Sequence, residues 1–252
     1  MYTARNYVKA ESLAQAYELN QKRANAILGG GCWMRMGERR YDTLIDLSGL
    51  ELDRVVEQGN EVSLGAMVTL RQLETDRMLE ECFGGLFRKC TEHIVGVQFR
   101  NCATLGGSVY SRFGFSDIVT ALLALDCQVE LVKAGRVSLE EYVKMQRDRD
   151  VLAWVHVRKD GRPVAYQTAR NSETDLPVLT CALSQYEGKY RAVIGARPGS
   201  PRVLENSDWD KLKEQVLGLE YGDNMRGSAR YRRHLAGVLL ERCKQDLEVT
   251  GA

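Results

Sequence analysis

Two stretches of this sequence set glycines beside groups that bind anions. The first is Leu28-Gly29-Gly30-Gly31-Cys32-Trp33-Met34, which follows the short apolar run Ala26-Ile27-Leu28. Glycine has no Cβ, so main-chain N–H groups can approach a phosphate directly. A glycine cluster after a strand also serves as a plain turn, and Gly29-Gly30-Gly31 does not complete Gly-x-Gly-x-x-Gly. The second stretch, Gln98 to Ser108, combines Arg100, Thr104, the pair Gly106-Gly107 and Ser108 in a polar segment unsuited to a core. Ser116-Asp117 comes next and leads into the apolar run Ile118 to Leu125. Two glycine loops far apart in the chain suit a long ligand with a central pyrophosphate. Either loop alone would suit a mononucleotide equally well.

Other chemistry finds little support. There is no Gly-x-Ser-x-Gly elbow, no His-Glu-x-x-His and no Gly-x-x-x-x-Gly-Lys-Ser/Thr. The seven cysteines are scattered, with no Cys-x-x-Cys and the nearest two eight residues apart. That spacing argues against a disulfide framework, a structural zinc or an iron–sulfur cluster held by this chain alone. His93, His156 and His234 stand apart from one another, and satisfied or surface imidazoles are expected. A net charge of +1 excludes a partner chosen mainly by charge, so no nucleic acid is expected. The longest apolar run is five residues, Ala121 to Leu125, so no membrane span is expected either. Met1 to Asn6 lacks the apolar region of a secretory signal, and with the scattered thiols this implies a cytoplasmic protein.

The elements that must hold these loops read as mixed α+β. Ser12 and Gln15 have capping-box spacing ahead of Leu13, Ala16 and Tyr17, which predicts a helix over Glu11 to Lys22. Strands are expected at Ala26–Leu28, Thr43–Leu47, Glu61–Ala66, Gln128–Val132 and Val151–Val157. Helices are expected at Leu70–Leu79, Leu86–Ile94, Ile118–Leu125 and Leu139–Met145. Gly106-Gly107 lies in a segment with no clear period. Asp160-Gly161 is a turn, and Glu187-Gly188 joins Val178–Tyr186 to Lys189–Ile194 as a hairpin. Two further helices cover Asp208–Leu217 and Ser228–Leu247.

Arg100-Asn-x-Ala-Thr-Leu-Gly-Gly107, then Ser116-Asp117 and Leu122-Leu-Ala-Leu-Asp126, resembles the FAD-binding (medium) subunit of the xanthine dehydrogenase and carbon monoxide dehydrogenase family of molybdenum hydroxylases. Leu28-Gly-Gly-Gly31, Leu64-Gly-Ala66, Ala165-Tyr-Gln-Thr-Ala-Arg170 with Asp175-Leu176, and Ser228-Ala-x-Tyr231-Arg232-x-His234-Leu-Ala236 follow that family's order from about Tyr7 to about Leu240. The resemblance implies an α+β fold: a p-cresol methylhydroxylase-type FAD-binding domain over 1–160, with subdomains of about 1–55 and 56–160. A smaller C-terminal α+β domain would occupy 161–252. It also implies an electron path from a molybdopterin-binding subunit, through an iron–sulfur subunit, to FAD here and on to an acceptor such as NAD. By position, Leu28 to Met34 would line the pyrophosphate. Arg100, Thr104, Gly106, Gly107 and Ser108 would form the second loop, Ser116 and Asp117 would be polar contacts, and Leu152 would lie near the flavin ring. With FAD present no acid–base dyad is needed, because the cofactor supplies the redox chemistry.

The chain departs from the family at Gly31-Cys32-Trp33, where Thr-Asp-Leu often follows the glycine pair, at Ser108, where Asn is usual, and at Gln167, where a lysine is common. A second function class therefore stays open, a scaffold or assembly subunit with a weakened FAD site. Plain packing is the simpler expectation for several residues. Trp33 should pack against its own lobe, Cys102 should be a small buried filler, and Arg226, Arg230, Arg232 and Arg233 should form a solvated face.

Overall fold

The computed structural model describes residues 1–250. In chain order the elements begin β1 (Thr3–Lys9), α1 (Leu13–Asn20), β2 (Ala26–Leu28), β3 (Arg40–Asp46), β4 (Val55–Gln58) and β5 (Glu61–Gly65). Four short helices follow, α2 (Leu70–Thr75), α3 (Arg77–Phe83), α4 (Leu86–Thr91) and α5 (Val97–Arg100), then α6 (Leu105–Tyr110) and α7 (Asp117–Leu123). Next come β6 (Cys127–Leu131), β7 (Gly135–Ser138), α8 (Leu139–Tyr142) and β8 (Leu152–Arg158). The rest is β9 (Val164–Ala169), β10 (Leu179–Tyr186), β11 (Lys189–Gly195), β12 (Arg202–Asn206), α9 (Trp209–Leu217) and α10 (Ala229–Thr250).

The chain forms two compact units. One contains Met1–Gln72, Val97–Tyr110 and Cys127–Arg158; the other contains Leu73–Gly96, Ser111–Asp126 and Lys159 onward. Neither unit is continuous in the sequence. Residues 73–96 and 111–126 join the C-terminal segment because α4 packs on α7 and on β9. Their buried side chains, among them Leu79, Phe83, Leu86 and Phe87, find their cover there.

The first unit holds two sheets. β1 and β2 flank β3, all parallel. α1 lies against β2 and β3, and its start is capped as expected: Ser12 Oγ accepts from Gln15 N–H at 3.1 Å. Ala16, Ile45, Leu47 and Leu52 pack with Val151 and Ala153 in one apolar cluster. The second sheet has the order β4-β5-β8-β6-β7 and is antiparallel throughout. His156 of β8 does not stand alone. Its Nε2 lies 2.8 Å from Glu130 Oε2, and its Nδ1 lies 2.8 Å from Ser63 Oγ and 3.1 Å from Glu61 Oε1. The helix predicted over Leu70–Leu79 breaks in two, because Asp76 accepts from Leu79 N–H at 3.0 Å and starts α3 afresh.

The second unit is a four-stranded antiparallel sheet, β12-β11-β10-β9, between helices. β10 is buried on both faces from Leu179 to Ser184, where its two polar residues are small hydroxyls. Leu179, Cys181 and Leu183 pack against Leu212, Val216, Ala236, Leu240 and Cys243 of α9 and α10. The alternate residues face α7, where Thr180 Oγ1 lies 3.0 Å from Thr120 Oγ1 and Ser184 Oγ donates to Ala124 O at 2.5 Å. The Glu187-Gly188 hairpin forms as read, with φ of +48° and +75°. The arginine stretch is a solvated face only in part: Arg230 and Arg233 are exposed and Arg226 is half-buried. Arg232 is fully buried, its Nε donates to Val178 O at 2.9 Å, and its Nη1 donates to Gly222 O at 2.8 Å. No helix among the described residues is long and apolar enough to cross a membrane.

Candidate functional site

β2 runs parallel to β3 with Leu28 opposite Asp46, so the sheet delivers the first glycine loop from the C-terminal end of its strands. The chain then turns through Gly31 at φ +69°, a left-handed conformation natural to glycine. Beyond the turn the loop is closed by its own bonds: Arg35 N–H to Gly31 O at 3.0 Å, Met36 N–H to Trp33 O at 3.2 Å and Gly37 N–H to Met34 O at 3.1 Å. Among the described residues, the amides of Gly30, Gly31 and Cys32 donate to no main-chain acceptor. Unpartnered amides at a glycine turn are suited to an anion.

The second loop is stitched to the segment after β5. Leu105 N–H donates to Val68 O and Gly106 N–H to Ala66 O, each at 2.8 Å. A Cβ added at Gly106 would lie 2.6 Å from Ala66 O, so this glycine is required by main-chain packing. Gly107 N–H donates to Thr104 Oγ1 at 3.1 Å, and Ser108 Oγ donates to Thr104 O at 3.1 Å. The amides of Gly106 and Gly107 therefore each have an acceptor within the protein. The stretch without clear period is α6, since tertiary bonds to Ala66 and Val68 position its start despite two adjacent glycines.

The two loops meet main chain to main chain. A Cβ on Gly30 would fall 1.7 Å from Cys102 O, so no other residue fits. A Cβ on Gly29 would lie 3.0 Å from Thr104 Oγ1 and 3.9 Å from Gly107 Cα. A Cβ on Gly107 would meet Thr104 Oγ1 at 3.2 Å and no other atom nearby, and Gly107 is exposed. Gly29, Gly30, Thr104 and Gly107 thus build a bare main-chain surface with unpartnered amides at one side. Around it, Cys32 Sγ donates to Gly30 O at 3.7 Å, and burial pushes its thiol up, with the neighbouring Cys102 adding to the shift. Cys102 is exposed rather than a buried filler, because its carbonyl faces Gly30. Trp33 is 49% exposed and so does not pack away as expected; the turn at Gly31 carries it outward.

The remaining candidates hold structural positions. Arg100 ends α5 and is buried, and Leu152 opens β8, buried opposite Leu131. Ser116 and Asp117 belong to the second unit. Ser116 Oγ caps α7 by accepting from Val119 N–H at 3.2 Å. Asp117 is buried, its Oδ1 accepts from Tyr166 OH at 2.5 Å, and it pairs with Arg170. Burial raises its carboxyl above the ordinary value, against the pull of Arg170 and the Tyr166 hydrogen bond. This engagement corrects its expected place as a ligand contact. Sequence reasoning missed Asp46, which accepts from Ser48 N–H at 2.8 Å and Ser48 Oγ at 2.9 Å and takes the Tyr7 hydroxyl. Burial opposes its charge, but the Tyr7 and Ser48 hydrogen bonds outweigh it and hold the carboxyl below its usual range. Its only sequence signal is the polar end of an apolar strand.

Residues 2–157 match the family described as the FAD binding domain in molybdopterin dehydrogenase. "Uncharacterized protein YgfM" of Escherichia coli (strain K12) is 25% identical over 256 residues, covering 97% of each chain. Among solved structures, the cyanide-inactivated Cu,Mo-CO dehydrogenase superposes with a TM-score of 0.84 at 21% identity, over 98% of each chain. Quinoline 2-oxidoreductase from Pseudomonas putida 86 gives 0.81 at 19% identity, over 98% of this chain and 96% of that one. The chain belongs to the family of FAD-binding domains of molybdopterin dehydrogenases, its fold is that of the CO dehydrogenase chain, and its cofactor is FAD. A glycine surface that excludes side chains and offers free amides fits the pyrophosphate of that cofactor.

Proposed function

We propose that this chain is the FAD-carrying electron-transfer subunit of a molybdenum hydroxylase complex of the xanthine dehydrogenase type. Bound FAD would take electrons from an iron–sulfur subunit, itself supplied by a molybdopterin-binding subunit, and give them to an acceptor such as NAD. The chain's own residues bind and orient. Amides between Gly30 and Cys32 meet the pyrophosphate, Leu28 and Met34 bound that loop, and Trp33 stands at its open side. The Gly107 Cα face and the Thr104 and Ser108 hydroxyl groups close the other side. Arg100, Gly106 and Leu152 support these loops from within, and Ser116 and Asp117 fix the start of α7. Seven free thiols suit a reducing compartment, and we place the complex in the cytoplasm.

The observation that carries this reading is the glycine turn whose Gly30, Gly31 and Cys32 amides donate to no main-chain acceptor among the described residues, a cradle suited to an anion. Substrate oxidation would fall to the molybdopterin-binding subunit. The test is purification at natural expression level, followed by an absorbance spectrum. About one oxidised flavin per chain, with an iron–sulfur and a larger subunit co-purifying, is the expected result. A colourless chain in the same complex would favour the scaffold reading, and a chain that repeatedly emerges alone would remove the subunit assignment.

A further inference from the structure

β1 lies beside the first loop: the Tyr7 hydroxyl donates to Asp46, and the Tyr2 hydroxyl would lie 3.8 Å from a Cβ on Gly31. Among the described residues β1 pairs on one side only, with β3, which leaves a free edge of main-chain donors and acceptors. Six of its seven residues are exposed, and Val8 alone is half-buried. Beside it opens a cavity of about 500 Å³, lined mainly by Thr3–Arg5 of β1 and Arg40–Asp42 of β3. The Arg5 side chain is 86% exposed and reaches Asp42 only at 3.9 Å. Arg40 is exposed, and the Arg39 guanidinium lies 5.1 Å above the Tyr41 ring at the rim. Three guanidiniums against one carboxylate make this place basic, in a chain whose net charge is only +1.

The β1–β3 register runs from Thr3 opposite Arg40 to Lys9 opposite Asp46, so the basic cavity sits at the start of the strands. Asp46, at their other end, marks where the first glycine loop leaves the sheet. At about 3.3 Å per residue the two ends are about 20 Å apart.

We propose that the free edge of β1 takes an extended acidic segment of a partner subunit, which adds as a strand while its carboxylates meet Arg5, Arg39 and Arg40. This rests on the reading that the chain works in a complex. Main-chain bonds along an added strand supply affinity, and planar guanidinium–carboxylate forks select the sign of the charge. A second copy of β1 is a poor occupant, since it would bring its own Arg5 and Lys9 against like charges.

The test uses hydrogen–deuterium exchange on the full chain, free and in its purified complex, with the Arg5→Glu/Arg40→Glu variant alongside. Amides of residues 3–9 should exchange at least ten-fold more slowly in the complex. The double variant should bind its partners at least ten-fold more weakly at low salt, with flavin content unchanged. Unaltered exchange in a formed complex, or unaltered affinity in the variant, overturns the docking site and leaves the subunit reading standing. If the native chain forms no complex, both fall together. Binding of a single-stranded DNA 20-mer as tight as that of the subunits, and lost in the variant, overturns the protein partner.

Discussion

Gly30 and Gly107 look alike in the sequence, and the structure gives them opposite duties. Gly30 is pressed against Cys102 O, whereas Gly107 is exposed and touches only Thr104 Oγ1. Gly30→Val should therefore destabilise the protein by about 3 kcal/mol or more, with or without FAD, as a main-chain overlap must be relieved. Gly107→Val should leave the melting temperature of the FAD-free chain within a few degrees and lower flavin content sharply. Calorimetry with flavin stoichiometry on both variants checks the contrast, and normal flavin in Gly107→Val would refute the cradle. Asp46 carries a pH effect. Its carboxyl titrates below the ordinary value in the folded chain, so its stabilisation is complete above the unfolded value of about 3.9 and is lost as pH falls through the folded value. Asp46→Asn should cost about 1–3 kcal/mol at pH 7, the scale of hydrogen bonds to a charged group. The difference from wild type should shrink as the pH is taken below about 3.9, which urea unfolding at pH 7 and in acid measures. The glycine motifs were legible because few other jobs concentrate glycine in that way. The partners of their amides were not, because Ala66 and Val68 contribute carbonyls that every residue possesses.

At the scale of elements, local signals worked where the physics is local. Ser12, Ser116 and Asp208 each cap the helix expected after them, and Glu187-Gly188 turns the expected hairpin. Glu187 pays for this turn with φ +48°, so Glu187→Asn should raise stability by about 0.5–1 kcal/mol, and Gly188→Ala, at φ +75°, should lower it by about 1 kcal/mol. Thermal melts of both single variants test the pair; equal melting temperatures would contradict the turn assignment. β1, β4 and β12 went unread because they are exposed strands with little apolar alternation, made by pairing rather than by burial. Arg232 shows the converse. A charge in a basic stretch reads as surface, yet four main-chain and side-chain oxygens around it make a buried guanidinium tolerable.

At the scale of the whole molecule, the family resemblance carried the fold across nearly the full chain, while the interleaving of the two units had no compositional sign. The pure chain, loaded with FAD, should hydroxylate neither a purine, an aldehyde nor an N-heterocycle; product detected by mass spectrometry from the chain alone would overturn the division of labour between subunits. The five-stranded sheet has a temporal side. β8 lies between β5 and β6 and is made after both. A nascent polypeptide leaving the ribosome thus exposes two unpaired strand edges until Arg158 has emerged. Because segments 73–96 and 111–126 wait for partners synthesised after Lys159, the second unit cannot be completed first. Translation speed across this interval, and the chaperones present during it, then decide how much of the newly made protein escapes aggregation.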